Sequence, residues 1–231
     1  MAISSGTYAS IPGAPASGDL YLLTDSFYTA LYYNGASWDH FIHGKKVTPP
    51  SSGDFSWVNQ GTATISTTNG GIHMDAPVAG ASTNNRLLVK AAPSTPYTVT
   101  AALITTMIGA NYFNAGLCFR ESASGKFVTA ILAYSSFGTI MCNKYNSATS
   151  GAGDYVKLYA EQIAGAQLLW LRIQDDGTNR KSYYSCDGIN FIQYHSVGRA
   201  DFITANQVGW LLATNNATYG VKTTLVHWLE A

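Results

Sequence analysis

Trp170-Leu171-Arg172-Ile173-Gln174-Asp175-Asp176-Gly177, followed by Tyr183-Tyr184-Ser185-Cys186-Asp187-Gly188-Ile189-Asn190-Phe191, decides the fold. Leu169, Leu171 and Ile173 alternate with Trp170 and Arg172, the period of two that sends successive side chains to opposite faces of a strand. The Asp176-Gly177 and Asp187-Gly188 pairs supply the positive φ that tight hairpin turns require. The segment therefore reads as consecutive antiparallel strands, a scaffold and not a catalytic loop.

Outward from this hairpin the pattern repeats. Strand-length runs fall at 55–58, 62–66, 71–75, 86–89, 97–104, 114–120, 126–134, 138–145, 155–159, 168–174, 180–185, 191–195, 208–213 and 221–229, while Gly151 to Gly153 reads as a loop. So many short strands, with turn residues between them and no helical period, require two sheets around one core: an all-β antiparallel sandwich of jelly-roll type. The chain has 231 residues with 22 Gly, 15 Tyr, 9 Phe and 5 Trp against 11% charged residues, a composition suited to strands and tight turns.

Thirteen basic residues balance thirteen acidic ones with no run of like charge, so the footprint of a nucleic-acid binder is missing. The start Met1-Ala2-Ile3-Ser4-Ser5-Gly6-Thr7 has neither a basic cluster nor an apolar core, and no segment approaches the roughly 20 apolar residues of a helical span. The expectation is a protein without membrane insertion, made in a cytoplasm. Cys118, Cys142 and Cys186 are odd in number and far apart in strand-like text, so they read as small buried hydrophobes and not as a disulfide or zinc framework.

Residues 1 to 18 lack apolar periodicity and are rich in Ser, Gly, Ala and Pro, which predicts an extended arm ordered by lying on something else, such as another subunit. Asp19 to Asp25, Ala30 to Gly35 and Trp38 to Ile42 then read as a small β-meander that buries too little to stand alone and must dock. Lys45-Lys46-Val47-Thr48-Pro49-Pro50-Ser51-Ser52-Gly53 reads as a linker because prolines deny ladder hydrogen bonds. The division is 1–50, arm and meander for attachment, and 51–231, a jelly roll on display.

Two resemblances add to this. Pro12 to Asp25, Leu31-Tyr32-Tyr33-Asn34-Gly35 and Trp38 resemble a short module of bacteriophage tail fibres and related virion proteins, covering about a fifth of the chain. That likeness implies a virion protein assembled in a host cytoplasm, attached to other virion proteins through Leu20, Tyr21, Leu31, Tyr32 and Trp38. Ala115 to Arg120, Trp170 to Ile173, Ser185 to Gly188, Gln207 to Trp210 and Val226 to Trp228 resemble the concanavalin A-like lectin and glucanase superfold. One superfold of this kind hosts lectins, hydrolases and structural modules.

Hydrolysis needs two carboxyl groups flanking the scissile bond. Glu121, Glu161 and Glu230 are isolated in sequence, and the Glu-x-Asp-x-Glu strand of the glucanases is missing. Asp175 and Asp176 lead into a turn, where aspartates bond backbone amides. Asp187 has the same role, with calcium the other use of such a turn; no cofactor is otherwise expected. His40 and His43 should face opposite sides of a strand, and His73, His195 and His227 stand singly with no nucleophile elbow or metal motif beside them.

Neutral sugars are bound by ring faces and by amide or guanidinium hydrogen bonds. Asn143 and Tyr145 lie opposite the inward pair Ile140 and Cys142, Trp170 and Arg172 share a face, and Tyr134 and Tyr184 end or line neighbouring strands. Those six form the expected carbohydrate-binding set, as one aromatic platform. The competing use of Trp170 and Tyr184 is burial beneath another subunit or the meander. Asn111, Tyr112 and Phe113 form a second aromatic candidate, with self-packing as its ordinary fate. The expectation is therefore a non-enzymatic virion protein of fibre or decoration type. It would be homo-oligomeric, with three copies as the guess, and would adhere to host cell-surface glycans. A purely structural decoration protein and a glycoside hydrolase are the alternatives.

Overall fold

The computed structural model describes residues 2–26, 28–42, 44–67, 69–78, 83–106, 113–134, 138–159, 168–214 and 220–231. Its strands are β1 (Ile3–Gly6), β2 (Leu20–Leu23), β3 (Ala30–Tyr33), β4 (Trp38–Ile42), β5 (Lys45–Val47), β6 (Ser56–Val58), β7 (Thr64–Ser66), β8 (Ile72–Ala76), β9 (Asn85–Ala91), β10 (Tyr97–Thr106), β11 (Phe113–Arg120), β12 (Phe127–Tyr134), β13 (Gly138–Ser147), β14 (Ser150–Tyr159), β15 (Leu169–Asp175), β16 (Asn179–Ser185), β17 (Ile192–Gly198), β18 (Gln207–Thr214) and β19 (Val221–Glu230).

Two seven-stranded antiparallel sheets make the sandwich, β17-β16-β15-β10-β19-β8-β7 and β14-β13-β12-β11-β18-β9-β6, and a separate five-stranded sheet β1-β2-β3-β4-β5 packs on the first of them. The core between the two large sheets is built from alternate residues of facing strands: Val99, Ala101 and Leu103 of β10, Leu171 and Ile173 of β15, Leu117 and Phe119 of β11, and Val208, Trp210 and Leu212 of β18. Trp210 is fully buried at its centre. Each such large side chain contributes roughly 2 to 3 kcal/mol relative to exposure.

β18 shows why some strands of this sandwich do not alternate in sequence. Its second set, Leu211 and Ala213, is buried too, on the far side of the sheet. Burial on both faces produces the continuous apolar run Trp210 to Ala213, where a strand with one wet face would alternate.

The turns that open the sequence reading behave as read. In the β15–β16 hairpin Gly177 has φ +91, and Asp176 Oδ1 accepts from the Thr178 and Asn179 amides at 2.9 and 2.6 Å. After β16, Gly188 has φ +67 and sits against Trp170, where an added Cβ would lie 2.5 Å from the indole ring. Only glycine fits both demands there.

Four expectations need correction. The arm is ordered by its own chain: β1 pairs in parallel with β2, Ile3 beside Leu20, and the Asp19 carboxylate accepts from the Ala2 amide at 2.6 Å. Lys45 to Val47 is strand β5, paired with β4 and not linker, so the proline pair begins only two residues beyond a meander that has five strands. Gly151 to Gly153 lies inside β14, where the register shifts three times against β13; a glycine at φ +102 accommodates the irregular ladder. Cys118 and Cys142 are buried, whereas Cys186 is exposed in the loop after β16.

Candidate functional site: an open sheet face

The outer face of the β17–β7 sheet is divided between a covered half and an open half. Trp170, Ala102 and His227 stand in one cross-strand row on β15, β10 and β19. Trp170, 2% exposed, joins Ala102 and Val226 beneath Tyr28, Ile42 and Val47 of the meander. The meander's inward face follows from pairing: Tyr21 opposes Leu31, which opposes His40, which opposes Val47.

Polar contacts close this seam. Lys45 reaches over the Trp170 ring at 5.1 Å and donates to the Gly188 carbonyl. The Thr48 amide donates to His227 Nδ1 at 2.8 Å, and the Tyr28 hydroxyl donates to the Val226 carbonyl at 3.2 Å. Burial, reinforced by the Lys45 charge, pushes the His227 imidazole down to about 4, so it is neutral with its proton on Nε2.

The next row of the same face carries Tyr183, Arg172, Thr100 and Leu229 on β16, β15, β10 and β19. It is not under the meander core. The Arg172 guanidinium stacks 3.6 Å above the Phe191 ring and its Nε donates to Thr100 Oγ1 at 3.0 Å. Tyr183 donates to Gln174 Oε1 at 2.9 Å. Arg172, Phe191, Tyr183 and Gln174 are half-buried, and Gln193 beside them is exposed. This combination of ring faces, one guanidinium and amide groups on a flat sheet is chemically suited to sugar C–H surfaces and hydroxyls.

Of the six expected sugar residues, only Arg172 stands on this open surface. Tyr184 is half-buried on the opposite face, packed against the inter-sheet core, because the hairpin pairs it with Leu171 and pairs Arg172 with Tyr183. Counting outward from the Asp176–Asn179 turn gives that register, which sets Tyr183 and not Tyr184 beside Arg172. The sequence reads Phe191 as strand; β17 begins one residue later, and Phe191 lies at the border of the seam, packed on one side against the meander cluster and stacked under Arg172.

Asn143 and Tyr145 do stand opposite Cys142, on the outer face of the other sheet, yet both are buried. Tyr145 stacks on Phe127 at 4.7 Å and 8°, and its hydroxyl accepts from Asn114 Nδ2 at 3.2 Å. The β13–β14 turn reaches back over this face, where the Ala148 carbonyl accepts from the Asn85 amide and Nδ2 at 2.8 and 3.1 Å. The side chain of Tyr134 lies outside the described residues, as do Asn111, Tyr112, His43 and Glu161. Phe113 packs in the inter-sheet core. The single platform is therefore not assembled.

Among the attachment residues, Tyr21 and Leu31 are buried within the chain and Trp38 donates to the Pro12 carbonyl at 3.4 Å. Leu20 and Tyr32 lie on the meander's outer face with Leu22 and Ile3, of which Tyr32, Leu22 and Ile3 are exposed.

The carboxylates are held by local partners. Asp187 accepts from Ser185, the amides of Ile189 and Asn190, and Asn190 Nδ2, and these bonds hold it far below the usual carboxylate range. Asp176 is lowered to about 2 by Lys181 and two amides, and Glu121 is lowered by Ser124 and the Thr204 amide. Asp175 is buried and bonds Arg199. Among the described residues no three His, Cys, Asp or Glu side chains gather as a metal-ligand set.

No protein-family model matches the chain, and no curated protein matches it in sequence. Solved structures match in shape. A functionally unknown protein from Saccharomyces cerevisiae superposes with TM-score 0.60 at 15% identity, over 79% of this chain and 98% of that one. The GH43 protein BlXynB of Bacillus licheniformis superposes with TM-score 0.56 at 13% identity over 96% of this chain, which spans 55% of that protein. A lectin from Bauhinia forficata in complex with GalNAc gives TM-score 0.50 at 11% identity, over 78% and 93%. The fold shared with these structures is an antiparallel β-sandwich of jelly-roll type. Identities this low carry architecture and nothing finer.

Proposed function

We propose that the chain is a non-catalytic glycan-adhesion protein whose ligand surface is the open half of the β17–β7 sheet, centred on Arg172, Phe191 and Tyr183. The observation that carries this reading is the guanidinium stacked on the Phe191 ring beside Tyr183 and Gln174, on a sheet face whose other half is occupied. Folds shared with a GalNAc-bound lectin are consistent with such use. Binding without cleavage is favoured because a glycosidase needs a general acid with a raised pKa, and the carboxyls with resolved shifts here, Asp19, Glu121, Asp176 and Asp187, all move downward.

The setting we propose is a bacteriophage virion, supported by the resemblance of residues 12–38 to tail-fibre modules. The meander turns Ile3, Leu22 and Tyr32 outward, and this apolar face would meet other virion proteins. A decoration protein without ligand is the second reading, favoured by the same exposed face. Several copies on one particle would raise weak single-site affinity through effective concentration.

A glycan array probed with the full chain tests the reading. Saturable binding that falls about tenfold in Phe191→Ala, with unchanged circular dichroism, is the expected result. No saturable binding to any host-surface glycan leaves the decoration reading, and released reducing ends overturn the non-catalytic one.

A further inference from the structure

Arg172 differs from the other arginines in what it leaves unbonded. Arg86, Arg120, Arg180 and Arg199 each donate a terminal nitrogen to an oxygen, of Asn59, Gln207, Asp201 and Thr95 respectively. Arg172 donates only through Nε, to Thr100, and among the described residues neither its Nη1 nor its Nη2 has an acceptor. Those two nitrogens are not enclosed, in contrast to Nε and Nη1 of Arg180. The charge is equally unmatched. The carboxylates of this sheet and of the hairpin loops beside Arg172 are engaged elsewhere: Asp75 with Lys222, Asp175 with Arg199, Asp176 with Lys181, Glu230 with Lys90, and Asp187 within its own turn. Lys45, one row away over Trp170, bonds two carbonyls and, among the described residues, no carboxylate.

We infer that the glycan taken by this surface is acidic: a sugar carrying a carboxylate, which Arg172 grips end-on through Nη1 and Nη2. The inference deepens the adhesion reading above and rests on it. Thr100 holds Nε and the Phe191 ring supports the guanidinium plane, so the side chain is fixed in advance with its two-pronged outer edge unoccupied. A carboxylate matches that edge with two parallel charge-assisted hydrogen bonds. A neutral sugar displaces water from the guanidinium and leaves its charge uncompensated, which is costly at a half-buried site. The Lys45 ammonium adds positive potential to the same patch. The exposed Gln193 amide, opposite Tyr183 on the next strand, remains for the sugar's hydroxyls.

Titration of the full chain with sialyllactose and with oligogalacturonate, each beside the same sugar with its carboxyl reduced to an alcohol, tests this. At least one acidic sugar should bind saturably, and reduction should weaken it roughly tenfold or more, a comparison that needs no variant. Arg172→Gln, with unchanged circular dichroism, should bind the acidic and reduced forms alike. Arg172→Lys should keep part of the preference, since it retains the charge and loses the fork. Equal wild-type affinity for acidic and reduced forms, binding of neutral or sulfated sugars in place of both acids, or a preference that survives in Arg172→Gln overturns the acidic-sugar assignment and leaves adhesion standing. No saturable binding to any glycan overturns the adhesion reading itself.

Discussion

The sandwich has two outer faces, and each carries an aromatic and amide set of the kind that binds sugars, but only one leaves its set in the open. On the β14–β6 sheet, Phe127, Tyr145, Asn143 and Asn114 satisfy one another beneath the β13–β14 turn. On the β17–β7 sheet, Trp170 is consumed by the meander, while Arg172 and Tyr183 are left half-exposed in the next row with Phe191 at the border of the seam. Residue type and alternation are alike in the two places. What differs is what lies above the face, and that depends on segments distant in sequence.

The comparison breaks most sharply on truncation. Phe127→Ala or Tyr145→Ala should cost about 3 to 5 kcal/mol in urea unfolding, as large aromatics leaving a closed core do. Phe191→Ala on the open face should cost under about 1 kcal/mol. Equal losses at the two sites would mean that the open face is covered as well.

The covered half of the open sheet is sharpened by pH. His227 has a folded pKa of about 4 against roughly 6.5 when unfolded. Between those values the unfolded chain holds the extra proton, so stability falls as pH drops from about 6.5 to about 4 and levels off below that. Linkage gives this effect an order of 3 kcal/mol. His40, His73 and His195 are also lowered by burial and act in the same direction, so the readout is the difference from His227→Asn. That variant keeps an acceptor for the Thr48 amide and should show a flatter profile in denaturant titrations; an unchanged slope would mean that His227 is solvated.

A smaller effect is expected at the seam itself. Gly188→Ala would place a methyl group 2.5 Å from the Trp170 ring and force a positive φ on alanine. A loss of about 1 to 3 kcal/mol, with faster proteolytic release of the meander, is expected. Wild-type stability and cleavage rate would show that the meander does not rest on this contact.

Most of the strands could be read from alternation and turn residues, because both act within a few residues along the chain. The β15–β16 hairpin is the clearest case: Asp176 and Gly177 form the turn that their chemistry demands. Boundaries failed where pairing overrode local signals. Lys45 to Val47 reads as linker until β4 offers its open edge, and Gly151 to Gly153 reads as loop until β13 draws it into a bulged ladder. The candidate site was legible in part. Arg172 and Trp170 were placed on one face correctly, yet one residue of hairpin register separated Tyr184 from Tyr183.

By itself the sequence determined an all-β sandwich, its turns, and the face on which most strand side chains stand, since these follow from local sterics and a period of two. Only the tertiary structure decided that the meander folds back on its own sandwich, that the β13–β14 turn closes one outer face, and that Arg172 and Tyr183 remain partly open on the other. Coverage of a sheet face is settled by contacts between residues far apart in the chain, such as Tyr28 with Val226 and Asn85 with Ala148, and no local pattern encodes them.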